Sequence, residues 1–147
     1  MGHYRRHESA GWQINLYHTY ISEKVLNEAM NGMYGKDEVD SLPARWRLNY
    51  FQKLDNGKYI INPELKKEII FRKFNLMEKV FPFRQKFHTI FCRNVMIYFK
   101  HETKIDLIKK FYDFMEYGGY LFIGHTESIP RDLTNFRYIM PGIYRKV

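Results

Sequence analysis

Ile90-Phe91-Cys92-Arg93-Asn94-Val95-Met96-Ile97-Tyr98-Phe99 is an apolar run broken at its centre by two polar residues. Its front half extends back to Phe87, and the β-branched and aromatic content of Phe87 to Cys92 predicts a strand. Arg93-Asn94 falls where that strand would end, before Val95 to Phe99 resume the apolar character. Downstream, Ile105, Leu107, Ile108, Phe111, Phe114 and Met115 recur at helical spacing, which predicts a helix over 102–117 with Gly118-Gly119 as its stop. Tyr120-Leu121-Phe122-Ile123-Gly124 is then a continuous apolar run of the kind found in strands covered on both faces. Strands alternating with helices, one of them buried on both sides, predict an α/β sheet sandwich.

The same alternation extends upstream. Ile14, Leu16 and Tyr17 mark a strand over 13–19, Ser22 is placed to cap a helix over 23–31, and Asn31-Gly32 stops it. Pro43 could open a second helix, and Asp55-Asn56-Gly57 is a tight-turn signal pointing to a small antiparallel hairpin. Asn62-Pro63 reads as a cap and first helical position, before a strand from Ile69 to about Asn75. At the far end, Arg137 to Met140 and Ile143 to Lys146, separated by Pro141-Gly142, read as a closing hairpin. Residues 1–11 are polar and aperiodic and read as a loose terminus.

The chain has 147 residues, 45% of them hydrophobic and 18% aromatic, enough apolar material for one packed domain and no sign of general disorder. Lys and Arg total 24 against 16 Asp and Glu, a formal charge of +8, but the basic residues are scattered, so solvated surface is preferred over a nucleic-acid footprint. The single cysteine, Cys92, excludes an intrachain disulfide and a thiolate zinc cluster; it suits a reducing cytoplasm and is read as a small buried residue. No apolar run reaches the roughly 20 residues that a membrane helix needs. His125 and Glu127 lack a third ligand, so their reading is structural. Met30, Met33, Met77 and Met96 are read as core filler.

The block Ile90 to Phe99 resembles the signature strand and loop of the CheR family of chemotaxis-receptor methyltransferases. Phe74-Asn75-Leu76 upstream and Gly118-Gly119-Tyr120-Leu121-Phe122-Ile123-Gly124-His125-Thr126-Glu127-Ser128 downstream join it in order, and Ile21 to Ala29 with Gly32 and Tyr34 is similar to the family's helix after its second strand. The resemblance covers roughly residues 12–147. It implies a Rossmann-like sheet, incomplete here, that binds S-adenosyl-L-methionine and releases S-adenosyl-L-homocysteine. It implies cofactor contacts at Asn75 and Leu76 on the adenine side and at Asn94 and Val95 on the methionine side. Tyr98 would lie near the reacting methyl group, and Arg93 would orient the substrate carboxylate or brace the loop. The implied substrate is a glutamate on the cytoplasmic helices of methyl-accepting chemotaxis receptors, and 54–71 would be a receptor-docking β-subdomain. The alternative is a non-catalytic receptor-binding or scaffold module of the same descent.

The sequence departs from the family pattern in three ways. No strand precedes a small-residue loop that could admit the methionine portion, and no counterpart of the family's catalytic arginine can be assigned. Tyr20 stands where relatives carry an acidic residue for the ribose hydroxyls. The resemblance thus implies a chain lacking the front of the domain, with a gap between the 13–19 and 87–92 strands. Either those strands pair directly or they leave open edges, from which low stability or self-association is expected.

Overall fold

The computed structural model describes residues 16–130 and 132–147. The chain divides into two compact units, one ending at Asn75 and the other running from Leu76 to Val147. The loose terminus expected over 1–11 and the start of the first strand lie outside the described residues.

In the first unit, β1 (Leu16–Tyr20) pairs in parallel with β5 (Ile69–Lys73). Between them α1 (Glu23–Asn31) follows its sequence signals: the Ser22 Oγ accepts from the Val25 N–H, and Gly32 takes the left-handed conformation at φ 64° that ends the helix. Lys66 adds a second stop by donating to the carbonyl oxygens of Met30 and Asn31. β2 (Met33–Tyr34), α2 (Lys36–Asp40), α3 (Ala44–Tyr50), β3 (Phe51–Lys53) and β4 (Tyr59–Ile61) follow. Their three strands form an antiparallel sheet in the order β2-β4-β3. The β3–β4 turn is the predicted one: the Leu54 N–H donates to Lys58 O, and Asn56 Oδ1 accepts from the Lys58 N–H. Asn62 caps α4 (Pro63–Lys67) by accepting from the Glu64 N–H. The antiparallel piece is therefore shifted from the expected 54–71. It draws on 33–34, 51–53 and 59–61, whereas Ile69-Ile70-Phe71 belongs to the parallel pair.

In the second unit, β6 (Phe87–Cys92) pairs in parallel with β7 (Met115–Ile123), and α5 (His101–Asp113) makes the crossover. β9 (Ile143–Lys146) pairs antiparallel with β7 and β8 (Phe136–Met140) with β9, giving the order β6-β7-β9-β8. The core lies between α5 and one sheet face: Leu107, Ile108 and Phe111 of the helix are buried, as are Cys92, Leu121, Ile123 and Tyr144 of the strands. Phe81, Phe83, Phe87, Phe111 and Phe114 add an aromatic cluster with tilted and edge-on contacts. Lys146 is buried too, its Nζ donating to Tyr112 O at 2.6 Å and Met115 O at 3.0 Å, which closes the end of α5.

Three expectations are corrected. The helix expected over 102–117 ends at Asp113, and Gly118-Gly119 lies inside β7 as a break in register, not as a helix stop. Here Phe87 pairs with Met115 but Thr89 with Tyr120, and Gly118 at φ 81° turns the surplus residues. The run 120–124 is covered unequally on its two faces: Leu121 and Ile123 are buried, while on the other side Tyr120 is exposed, Phe122 half-buried and Gly124 buried. Of the methionines read as core filler, Met96 is buried, but Met30, Met33 and Met77 are exposed. As for the gap, among the described residues β1 pairs only with β5 and β6 only with β7, so direct pairing of the two is not what these ladders contain.

A Cβ on Gly119 would stand 2.9 Å from the carbonyl oxygens of both Glu116 and His88. Gly119→Ala should therefore destabilise the chain by about 1–3 kcal/mol, read as a lower denaturation midpoint.

Candidate functional site

Because β6 and β7 run parallel, the loops after them emerge at the same end of the sheet, the usual place for ligands in such folds. The loop after β6 begins with Arg93 and Asn94. Asn94 has φ 59°, the only positive φ among the described non-glycine residues, and Asn tolerates that conformation better than most L residues. Backbone held this way after a strand re-aims its amides and side chain, and such positions concentrate at functional sites. Val95 is half-buried, and Met96–Tyr98 forms one 3-10 turn that buries Met96 and leaves Tyr98 81% exposed. Of the expected site residues, Arg93, Asn94, Val95 and Tyr98 are thus brought onto one loop. The side chains of Arg93 and Asn94 are exposed, with no hydrogen-bond partner among the described residues.

Asn75 closes the first unit and Leu76 opens the second, so the expected adenine-side pair straddles their boundary. Leu76 lines a cavity of about 220 Å³ with Met77, Thr103 and Asp106, to which none of the four loop residues contributes. The expectation about Tyr20 concerns a side chain outside the described residues.

Beside the Arg93–Tyr98 loop lies the loop after β7. Glu127 Oε2 accepts from the Gly124 N–H at 2.9 Å, pinning the turn, while Oε1 is enclosed with no partner among the described residues. A second cavity of about 370 Å³ is lined by Met96 and Ile97 from the first loop, His101 and Lys104 from α5, and Glu127 and Ser128 from the second. The sequence reading singled out neither His101 nor Lys104. Their signal is positional: they stand in the first turns of the helix that follows the Arg93–Tyr98 loop.

Cys92 ends β6 directly beneath this loop. Burial, and secondarily the negative charge of Glu127, push its thiol up to about 12. At neutral pH it is a protonated apolar side chain and no nucleophile, as its position in the strand predicts. Among the described residues there is no cluster of His, Cys, Asp or Glu able to hold a metal ion, and no helix long and apolar enough to cross a membrane.

These residues fit a polar organic ligand. An exposed amide on a left-handed residue and an enclosed carboxylate oxygen without a donor among the described residues stand on neighbouring loops at the carboxyl ends of two parallel strands.

The family profile described as CheR methyltransferase, SAM binding domain, matches residues 3–143. The chain is 42% identical over 143 residues to the chemotaxis protein methyltransferase of Borreliella burgdorferi, covering 97% of this chain and 50% of the relative. It is 30% identical over 149 residues to the probable chemotaxis protein methyltransferase of Rhizobium etli, covering 93% and 55%. It is 31% identical over 120 residues to the chemotaxis protein methyltransferase of Escherichia coli K12, covering 80% and 41%. The chain spans about half the length of the curated relatives it matches.

The Cys92 thiol gives a pH-dependent prediction. It ionises near 9.0 when unperturbed and at about 12 in the fold, so the folded chain holds the proton longer. Its contribution to stability is complete below about pH 9 and lost as pH rises through about 12, with an upper limit of about 4 kcal/mol. Denaturant titrations in alkali should show a steeper loss for the native sequence than for Cys92→Ala, and a thiol reagent at neutral pH should label Cys92 only after unfolding.

Proposed function

The chain belongs to the CheR methyltransferase family, and on that premise we propose that its protein transfers a methyl group from S-adenosylmethionine to glutamate carboxylates on the cytoplasmic helices of chemotaxis receptors. The observation that carries this reading is Asn94, held left-handed at the carboxyl end of β6 with its side chain exposed, inside the block that resembles the family's signature loop.

The cofactor, when bound, supplies an electrophilic sulfonium methyl group. Asn94 and Val95 hold its methionine side, and Asn75 and Leu76 its adenine side. Tyr98 borders the reacting centre, and the Arg93 guanidinium orients the incoming carboxylate, for which its planar donor pair is suited. A glutamate side chain is already ionised at neutral pH and needs no base. The chemistry of the loops is consistent with that: the Glu127 carboxylate on the neighbouring loop accepts from the Gly124 N–H, and the Cys92 thiol is protonated. Rate then comes from aligning the carboxylate with the methyl group and excluding water. The exposure of Arg93 and Tyr98 suits a substrate that is itself a protein surface.

Residues 12–147 form the part of the methyltransferase domain present in this sequence, with the β2-β4-β3 sheet as the receptor-docking piece, working in the cytoplasm. An edge of that sheet can take a further strand from a receptor segment.

Calorimetry with S-adenosylmethionine and S-adenosylhomocysteine tests the reading. Asn94→Gly keeps the positive φ and removes the amide, so it should weaken binding about tenfold, the equivalent of one hydrogen bond. Tyr98→Phe should bind the cofactor normally but methylate receptor glutamates more slowly. A folded chain that binds neither nucleoside overturns the proposal.

A further inference from the structure

We propose that the cavity between α5 and the loops after β6 and β7 is a binding site for a small monocarboxylate with an apolar tail. The cavity measures about 370 Å³, at the small end of ligand sites, and the residues lining it all belong to the second unit. α5 supplies His101, Lys104, Ile105 and Ile108, which stand at i, i+3, i+4 and i+7 and so form one stripe along the helix. The stripe is graded. Its first turn carries an imidazole and an ammonium group, and beyond them come two isoleucines, Ile105 half-buried and Ile108 buried. Met96, which is buried, and Ile97 extend the apolar part from the loop after β6.

The polar end of the stripe selects the charge of the ligand. Neither His101 nor Lys104 makes a hydrogen bond or ion pair among the described residues. Glu127 also borders the cavity, but its Oε2 accepts from the Gly124 N–H and its Oε1 is enclosed, which turns the carboxylate into its own loop. A cationic ligand would meet Lys104 on a chain of net charge +8. A wholly apolar one would cover the Lys104 ammonium group without offering it an acceptor, and a wholly polar one would leave the isoleucine wall against a hydrated group. A carboxylate that accepts from Lys104 Nζ and the His101 ring N–H, with a short hydrocarbon tail along Ile105, Ile108 and Met96, matches both ends. Such a tail touches the turn Met96–Tyr98, so binding here is felt by the loop that presents Tyr98.

Calorimetry and amide NMR on the full chain, with octanoate, octylamine and acetate as probes, test the assignment. Octanoate should fill one saturable site and shift the amides of 96–97, 101–108 and 126–129. Octylamine and acetate each lack one half of the match and should bind at least about tenfold more weakly. Lys104→Gln should weaken octanoate binding about tenfold, the equivalent of one charge-assisted hydrogen bond. Lys109→Gln, at an exposed position of the same helix outside the cavity, should leave it unchanged. Circular dichroism checks the fold of each variant; if Lys104→Gln unfolds, the amide shifts and the octylamine comparison decide. Equal binding of octanoate and octylamine, equal loss in both lysine variants, shifts confined to other parts of the chain, or no saturable binding overturns the proposal.

Discussion

The parallel ladder between β6 and β7, closed by α5 across one face, is the constraint on which the second unit depends. Parallel neighbours cannot be joined by a tight turn, so the chain must leave the sheet and return, and α5 makes that return with Leu107, Ile108 and Phe111 turned inward. Fully burying side chains of this kind stabilises by about 1.5–3 kcal/mol each, more than any of the surface ion pairs can contribute. The ladder also fixes the candidate site, since it brings the loop after Cys92 and the loop after Ile123 to one end of the sheet. Gly119 is the local condition for the pairing, because backbone atoms of Glu116 and His88 occupy the space a side chain would need.

Lys146 links this core to the closing hairpin. A buried ammonium group is costly, and desolvation, followed by the neighbouring charge of Lys86, holds its pKa below the usual lysine value, with Asp113 and Glu116 opposing. Two carbonyl acceptors and the ring faces of Tyr112 and Tyr117 offset that cost. The same contacts tie β9 to the end of α5 and the start of β7, so the antiparallel hairpin secures the strand that the parallel ladder needs. Tyr144 does likewise for the loop after β7, its hydroxyl accepting from the Ile129 N–H.

Local signals were legible where the chemistry is local. The Ser22 and Asn62 caps, the Asn56-Gly57 turn, the bounds of β6 and the Pro141-Gly142 hairpin all depend on residues within a few positions of one another. The end of α5 was not legible, because Phe114 and Met115 continue the helical spacing while belonging to a sheet whose partner strand lies far away in sequence. Gly118-Gly119 carried the same ambiguity, since glycine stops helices and permits bulges equally well. The loop Arg93–Tyr98 was located by its sequence block, but the left-handed Asn94 and the neighbouring Glu127 loop are visible only once the two strands are set side by side. His101 and Lys104 went unnoticed because charged residues in a first helical turn ordinarily face solvent.

The asymmetry of the four-stranded sheet connects its edge to its site. β8 is built as an edge, with a charge and a break in register, whereas β6 has the composition of an interior strand, and the loop bearing Arg93, Asn94 and Tyr98 grows from its end. Whatever strand lies against β6 therefore also borders that loop.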